Sequence, residues 1–227
     1  MSSSSSPALK LRRGQESDVE AMVDIFLDAF SGNTVGRTLF PRDKTSARAF
    51  WRKALSEEIH DPNAHFLVIT DTATTSGMND QETSIIAFAK WVNPLPHDAP
   101  AMPIPSEDEW PAEGNPKLAM VFFQKLADMH HSIMQNRRHW YLELIATRTA
   151  YQGRGAGAMM MTWGVQRADA DCVECYLDAT PDGKPLYGKW GFEDVDTCRF
   201  FDDVYIHSFM VRMVRGGKDG GGGGGGG

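Results

Sequence analysis

Apolar residues recur at helical spacing over Val19, Met22, Val23, Phe26 and Phe30, the pattern that lines one face of a helix. Ser17-Asp-Val-Glu20 precedes them and reads as a capping box, serine and glutamate serving free backbone N–H groups. Before it, weak alternation over residues 9–13 predicts a first strand, and a glycine-containing loop follows the helix. A second helix is predicted over 45–59, with Phe50, Trp51, Ala54 and Leu55 inward and Pro62 near its end. Residues 65–70 and 84–92 read as the two strands of a hairpin, joined by the polar segment 71–82.

The pattern breaks over 93–116, which holds seven of the twelve prolines and five acidic residues, with no Lys or Arg. Because the hydrophobic pattern resumes beyond it, this segment is expected as a surface insertion within one domain. A helix is then predicted over 117–135, with Met120, Phe123, Leu126 and Met129 on one side. Regular elements follow closely: a strand over 140–147, a glycine turn at 152–157, a helix over 158–170 with Met160, Trp163 and Arg167 on one stripe, and a strand over 172–178. A short helix over 184–190 and two closing strands, 192–201 and 204–214, complete the pattern. Strand, helix and strand over 140–178 make a βαβ unit, so the class is mixed α/β (α+β). No internal repeat is visible.

Composition narrows the picture. The chain has 227 residues, 41% hydrophobic, with a formal net charge of −7. That is enough apolar material for one good core, and it excludes a disordered chain and a disulfide-rich miniprotein. Ten of the 22 glycines lie in the last twelve residues. Residues 1–8 and 216–227 are therefore expected as disordered ends of a domain spanning 9–215. The acidic balance argues against nucleic-acid binding, which needs a basic face. It is compatible with a cationic substrate, or with solubility alone. No apolar run approaches the roughly 18 residues of a membrane span, so no membrane partner is expected and the default location is the cytoplasm, with the nucleus open. Three sparse cysteines fit a reducing compartment. Cys172 and Cys175, read on one strand, point to opposite faces, and His130 and His131 diverge by about 100° on a helix, so no metal is expected. Trp110, inside the acidic insertion, reads either as a pocket-lining residue or as a clamp for the loop.

Seven of the twelve remaining glycines fall between Gly153 and Gly191. A strand, then Tyr151-Gln-Gly-Arg-Gly-Ala-Gly157, then a helix is an anion-binding arrangement: glycine lets the backbone approach a ligand, and the helix start offers unpaired N–H groups with a partial positive charge. Neither the P-loop nor the dinucleotide fingerprint fits, since the turn lacks Gly-Lys-Ser/Thr and its glycines are spaced G-x-G-x-G. Gln152-Gly-Arg-Gly155-Ala-Gly157 does fit Q/R-x-x-G-x-G/A, and Gly183-Lys-Pro-Leu-Tyr187-Gly-Lys-Trp-Gly191-Phe192 follows thirty residues on. Over about 140–201 the chain resembles the GNAT superfamily of acetyl-CoA-dependent N-acetyltransferases.

The resemblance implies a central mixed, mostly antiparallel twisted sheet of six to seven strands flanked by helices. It implies acetyl-CoA as co-substrate and direct attack by an amine within a ternary complex. The main chain of Gln152, Gly153, Arg154, Gly155, Ala156 and Gly157 would hold the pyrophosphate. Ile145, Ala146 and Thr147 would pair with the pantetheine arm like an added strand, and a main-chain N–H there would stabilise the oxyanion. Tyr187 stands at the position of the family's usual general acid; alternatively it packs the helix on the sheet. Tyr141, Glu143, Ile145 and Thr147 are expected on one strand face. Some members of the family carry their base on this face, where Glu143 is the candidate base or a structural carboxylate, with deprotonation through water as the alternative. Two departures stand out. Thr149 replaces a frequent proline, and Asp178-Ala-Thr180 stands where many members carry an asparagine. The expected acceptor is a small amine, polyamine or peptide amine, steered by Glu107, Asp108, Glu109 and Glu113. An acyl-CoA-binding sensor without turnover is the alternative, and the chain is expected as a monomer or homodimer.

Overall fold

A computed structural model of the chain describes residues 9–71, 84–96, 103–201 and 205–214. The two apolar runs in the first half of the chain become strands buried along most of their length, β2 (Ala64–Asp71) and β3 (Ser84–Val92). Strands with both faces covered lose the polar alternation of a half-exposed strand. With β1 (Leu9–Arg13), β4 (His139–Thr147), β5 (Glu174–Ala179), β6 (Glu193–Phe200) and β7 (Tyr205–Arg212) they form one seven-stranded sheet in the order β1-β2-β3-β4-β5-β7-β6. Every neighbouring pair is antiparallel except β4 and β5, which run parallel and are joined through helix α5 (Ala156–Asp171). This mixed sheet agrees with the expected fold.

Helices cover both faces. α1 (Val19–Ala29), α2 (Thr34–Leu39), α3 (Thr45–Glu58) and the front of α4 (Pro116–Met134) pack on one side, where Met22, Phe26, Leu39, Leu55 and Phe122 meet Phe66, Phe88 and Ala146. α5 and the short α6 (Lys184–Tyr187) pack on the other, where Met160, Met161, Val165 and Tyr187 meet Leu67, Trp91, Leu142 and Leu177. The end of α4 closes a third cluster, Met134 with Tyr176, Phe209 and Val211.

Several local expectations are corrected. The cap before α1 is formed by Gln15 and Asp18: the Gln15 backbone N–H donates to the Asp18 carboxylate at 2.8 Å. A turn of 3-10 helix over Glu16–Asp18 shifts the frame, so Ser17 lies within it and Glu20 is free to pair with Arg52 of α3. The glycine-containing loop after α1 holds α2, started by Asn33, whose side chain accepts from the Gly36 N–H at 2.8 Å. β5 begins at Glu174, because Cys172 is the left-handed C-cap of α5 at φ 52°. Cys172 is therefore exposed and Cys175 buried. On α5 the buried stripe is Met160, Met161, Gly164, Val165 and Ala168, while Arg167 lies over the Trp163 ring at 3.5 Å.

The insertion is packed where it is described. Trp110 is buried between Phe50 and Phe123, with centroids 5.0 and 4.9 Å away, and Glu113 accepts from the Ser46 N–H at the start of α3 at 2.9 Å. Residues 1–8 and 216–227, and most of the hairpin connection, lie outside the described residues.

Candidate active site

Where β4 and β5 part company, the sheet opens. Their ladder runs only from His139 and Glu174 to Leu142 and Leu177. Beyond it β4 stays with β3 as far as Thr147, and β5 stays with β7. The inner edge of Ile145, Ala146 and Thr147 thus faces a gap instead of a strand. A cavity of about 980 Å³ occupies this region. Its walls come from both faces of the sheet, with Phe26, Phe30, Phe40 and Phe122 on the α1–α4 side and Ala156, Leu186 and Tyr187 on the α5–α6 side.

The glycine turn forms one wall. Gly153 and Gly155 have φ of 76° and 96°, and a Cβ at either would meet nothing within 4 Å. Glycine is required here by backbone conformation, and the space beside it is open to a ligand. Gly155 caps α5, whose first turn leaves N–H groups without helical partners. An anion fits such a cradle. Of the nine residues expected to hold the co-substrate, Ile145, Ala146, Thr147, Gln152, Gly153, Gly155, Ala156 and Gly157 line the cavity. The Arg154 side chain folds back, its guanidinium 4.8 Å from the Tyr151 ring centroid and donating to the Ala150 carbonyl at 3.1 Å.

The expectation that Tyr141, Glu143, Ile145 and Thr147 share a face is overturned by a bulge. Lys90 pairs with Leu144 and Trp91 with Leu142, so Glu143 is the extra residue. A bulge reverses the alternation of side chains. Leu142 and Ile145 pack toward α5, whereas Leu144 and Ala146 pack toward α1 and Tyr141 toward the end of α4. The bulge delivers Glu143 to the cavity beside Lys90, whose ammonium lies 2.8 Å from Glu143 and 3.0 Å from Glu58. Burial would lower the Lys90 pKa, but the two carboxylates overcome it and hold the ammonium charged. Burial raises Glu58, opposed by Lys90. Two carboxylates and one ammonium leave this wall negative.

Asp178 reaches the cavity from β5. It accepts from the Tyr141 hydroxyl at 2.9 Å and the Tyr176 hydroxyl at 2.7 Å. Burial pushes it up to about 6, against the pull of these hydrogen bonds. Tyr187 is 5% exposed, and burial, followed by the nearby Asp178 charge, raises its phenol well above the ordinary value. Toward α1 and α4 the lining is aromatic. There Trp51 Nε1, Tyr205 OH and both ring nitrogens of His207 are buried, and none has a hydrogen-bond partner among the described residues. Glu107, Asp108, Glu109 and Glu113 do not line the cavity.

Lys90 and Glu58 escaped sequence reasoning. Their one signal was a lysine inside the apolar run of β3. His207 and Tyr205 left none, because a histidine and a tyrosine on a strand are ordinary core residues.

The acetyltransferase (GNAT) family matches residues 20–192 of the chain. A curated acetyltransferase from Stachybotrys chartarum is 21% identical over 221 residues, covering 91% of this chain and 90% of that one. Among solved structures, a mosquito arylalkylamine N-acetyltransferase like 5b superposes with a TM-score of 0.62 at 11% identity, covering 91% of this chain and 100% of that one. The PaiA N-acetyltransferase of Thermoplasma acidophilum, in complex with coenzyme A, superposes with a TM-score of 0.54 at 12% identity, covering 91% and 99%.

Proposed function

The chain belongs to the acetyltransferase (GNAT) family, and on that premise we propose that it transfers an acetyl group from acetyl-CoA to a primary amine carrying an aromatic group. One observation carries this reading: the open glycine cradle, a set of aromatic rings and the carboxylates of Glu58, Glu143 and Asp178 all line a single cavity. The cradle suits a pyrophosphate. The free inner edge of Ile145, Ala146 and Thr147 suits an extended arm carrying amide groups. Acetyl-CoA supplies both, together with the activated acyl group.

The acceptor side has three matching features. Glu58 and Glu143 outnumber Lys90 by one charge, which favours an ammonium group near the fork. Phe26, Phe30, Phe40 and Phe122 offer ring faces and edges to an aromatic body. The unpartnered hydroxyl of Tyr205 and the ring nitrogens of His207 offer hydrogen bonds to uncharged substituents such as ring hydroxyls. Arylalkylamines combine these properties, and the name of the mosquito protein points to the same class. Tyr187, kept protonated by its burial, would give its proton to the departing sulfur, and Glu143 would help to draw in and orient the ammonium.

Thiol release from acetyl-CoA, measured with phenethylamine, tyramine, spermidine and a lysine peptide, tests the reading. The expected order of kcat/KM places both arylalkylamines above spermidine and the peptide. A preference for spermidine or the peptide would remove the aromatic acceptor. Binding of CoA without turnover of any amine would instead favour the sensor.

A further inference from the structure

The parallel ladder ends at Leu142 and Leu177, and the next residue on each strand is a carboxylate, Glu143 on β4 and Asp178 on β5. Their partners differ in kind. Glu143 is bonded to the ammonium of Lys90, whose side chain is 3% exposed and which also holds Glu58. Asp178 is held by two phenols, one on each oxygen. A carboxylate has about four lone-pair sites, so Asp178, which lines the cavity, retains acceptor capacity beyond its two phenols.

We propose that Asp178 is the base of the acetyl transfer, taking a proton from the acceptor ammonium, with Tyr141 and Tyr176 as the residues that position it. The inference rests on the amine-acetyltransferase reading and assigns a role within it. Protonating Glu143 would strip a buried ammonium of half its neutralisation, a costly change in low dielectric. Protonating Asp178 breaks no ion pair in its pairing with the two tyrosines. A phenol both donates and accepts, so the hydrogen bond survives when one carboxylate oxygen becomes O–H.

The step balances with the residues present. The ammonium gives one proton to Asp178, and the freed lone pair forms the N–C bond. The C–S bond breaks as Tyr187 gives its proton to sulfur. The surplus proton on the new amide nitrogen restores Tyr187, and Asp178 passes its own to water.

The titratable groups around Asp178 are Tyr176 on its own strand, Tyr141 and Glu143 on β4, Tyr187 on α6, His207 on β7, and His130 of α4 and Cys198 of β6 beside Tyr176. Burial raises the three phenols and lifts Cys198 to about 11. It lowers His130 to about 3 and His207 to about 4. None of these phenols, imidazoles or the thiol changes charge near the value of about 6 to which Asp178 is pushed, close to where a general base is effective.

The test is the pH profile of kcat/KM for thiol release from acetyl-CoA and phenethylamine. The wild type is expected to show a limb rising with a midpoint near 6. Asp178→Asn should lower kcat/KM roughly 100-fold or more near neutral pH and abolish that limb, whereas Glu143→Gln should retain it. Each phenol stabilises the charged carboxylate, so Tyr141→Phe and Tyr176→Phe should each move the limb to higher pH. Should Asp178→Asn also lose CoA binding and prove misfolded, the two phenylalanine variants decide: an upward shift supports the assignment and an unmoved limb overturns it. Wild-type activity in Asp178→Asn, or loss of the limb in Glu143→Gln, overturns it directly. If the wild type turns over no amine, the broader reading falls with it.

Discussion

At Tyr187 packing and the proposed chemistry fall on a single position. Its ring packs 6.3 Å from Phe192, between α6 and the sheet, so a phenylalanine would keep the contact. What the substitution removes is the hydroxyl, which burial keeps protonated. Tyr187→Phe should therefore lower kcat roughly 100-fold while leaving the Kd for CoA, by calorimetry, nearly unchanged. An unaltered kcat would reduce Tyr187 to a packing residue. The motif alone pointed to this tyrosine. Lys90 was not legible in the same way, because its partners come from residues far along the chain, Glu58 on α3 and Glu143 on β4.

Between elements, the fit of α5 on the sheet depends on what is missing from one residue. Gly164 faces Trp91, and a Cβ added there would stand 2.2 Å from the indole ring. The Trp91 N–H in turn donates to the Met160 carbonyl at 3.2 Å, so the ring is pinned and cannot yield. Gly164→Ala should destabilise the fold by about 1–3 kcal/mol through overpacking, read as a lower urea midpoint. The helix propensity gained over glycine is smaller, about 1 kcal/mol. A midpoint equal to or above wild type would contradict the close approach. The apolar period of this helix put Met160, Trp163 and Arg167 on one stripe, whereas the buried stripe runs through Met160, Met161, Gly164, Val165 and Ala168. Met160 is shared by both stripes, and the side that turns inward is set by where β3 and β4 lie.

For the molecule as a whole, buried imidazoles couple stability to pH. His207 is lowered to about 4 by burial, below the ordinary value near 6.5. Between these values the unfolded chain binds a proton that the folded chain does not, so stability rises with pH across the window and is lost as pH falls through it. His130, lowered to about 3, acts in the same direction. Asp178, raised to about 6, opposes them between its unfolded value and 6. Urea unfolding of His207→Phe should show a smaller loss between pH 7 and pH 5 than the wild type. An equal loss would mean that His207 is not the group taking up the proton.

Apolar periodicity determined most of the elements and their order, because burial on one face or two is written into local residue choice. The glycine turn with its following helix and the Tyr187 motif were also legible, since backbone conformation and helix starts are local. The bulge at Glu143, the parting of β4 and β5 after Leu142 and Leu177, and the meeting of Tyr141, Tyr176 and Asp178 belong to the tertiary structure alone. Each depends on the register of one strand against another, and register follows from the sum of packing on both faces of the sheet. The acidic insertion makes the same point from the other side. Its charge was plain in the sequence, yet the carboxylates that face the cavity are Glu58, Glu143, Asp178 and Asp182, brought together from α3, β4, β5 and the turn before α6 only when the chain closes on its core.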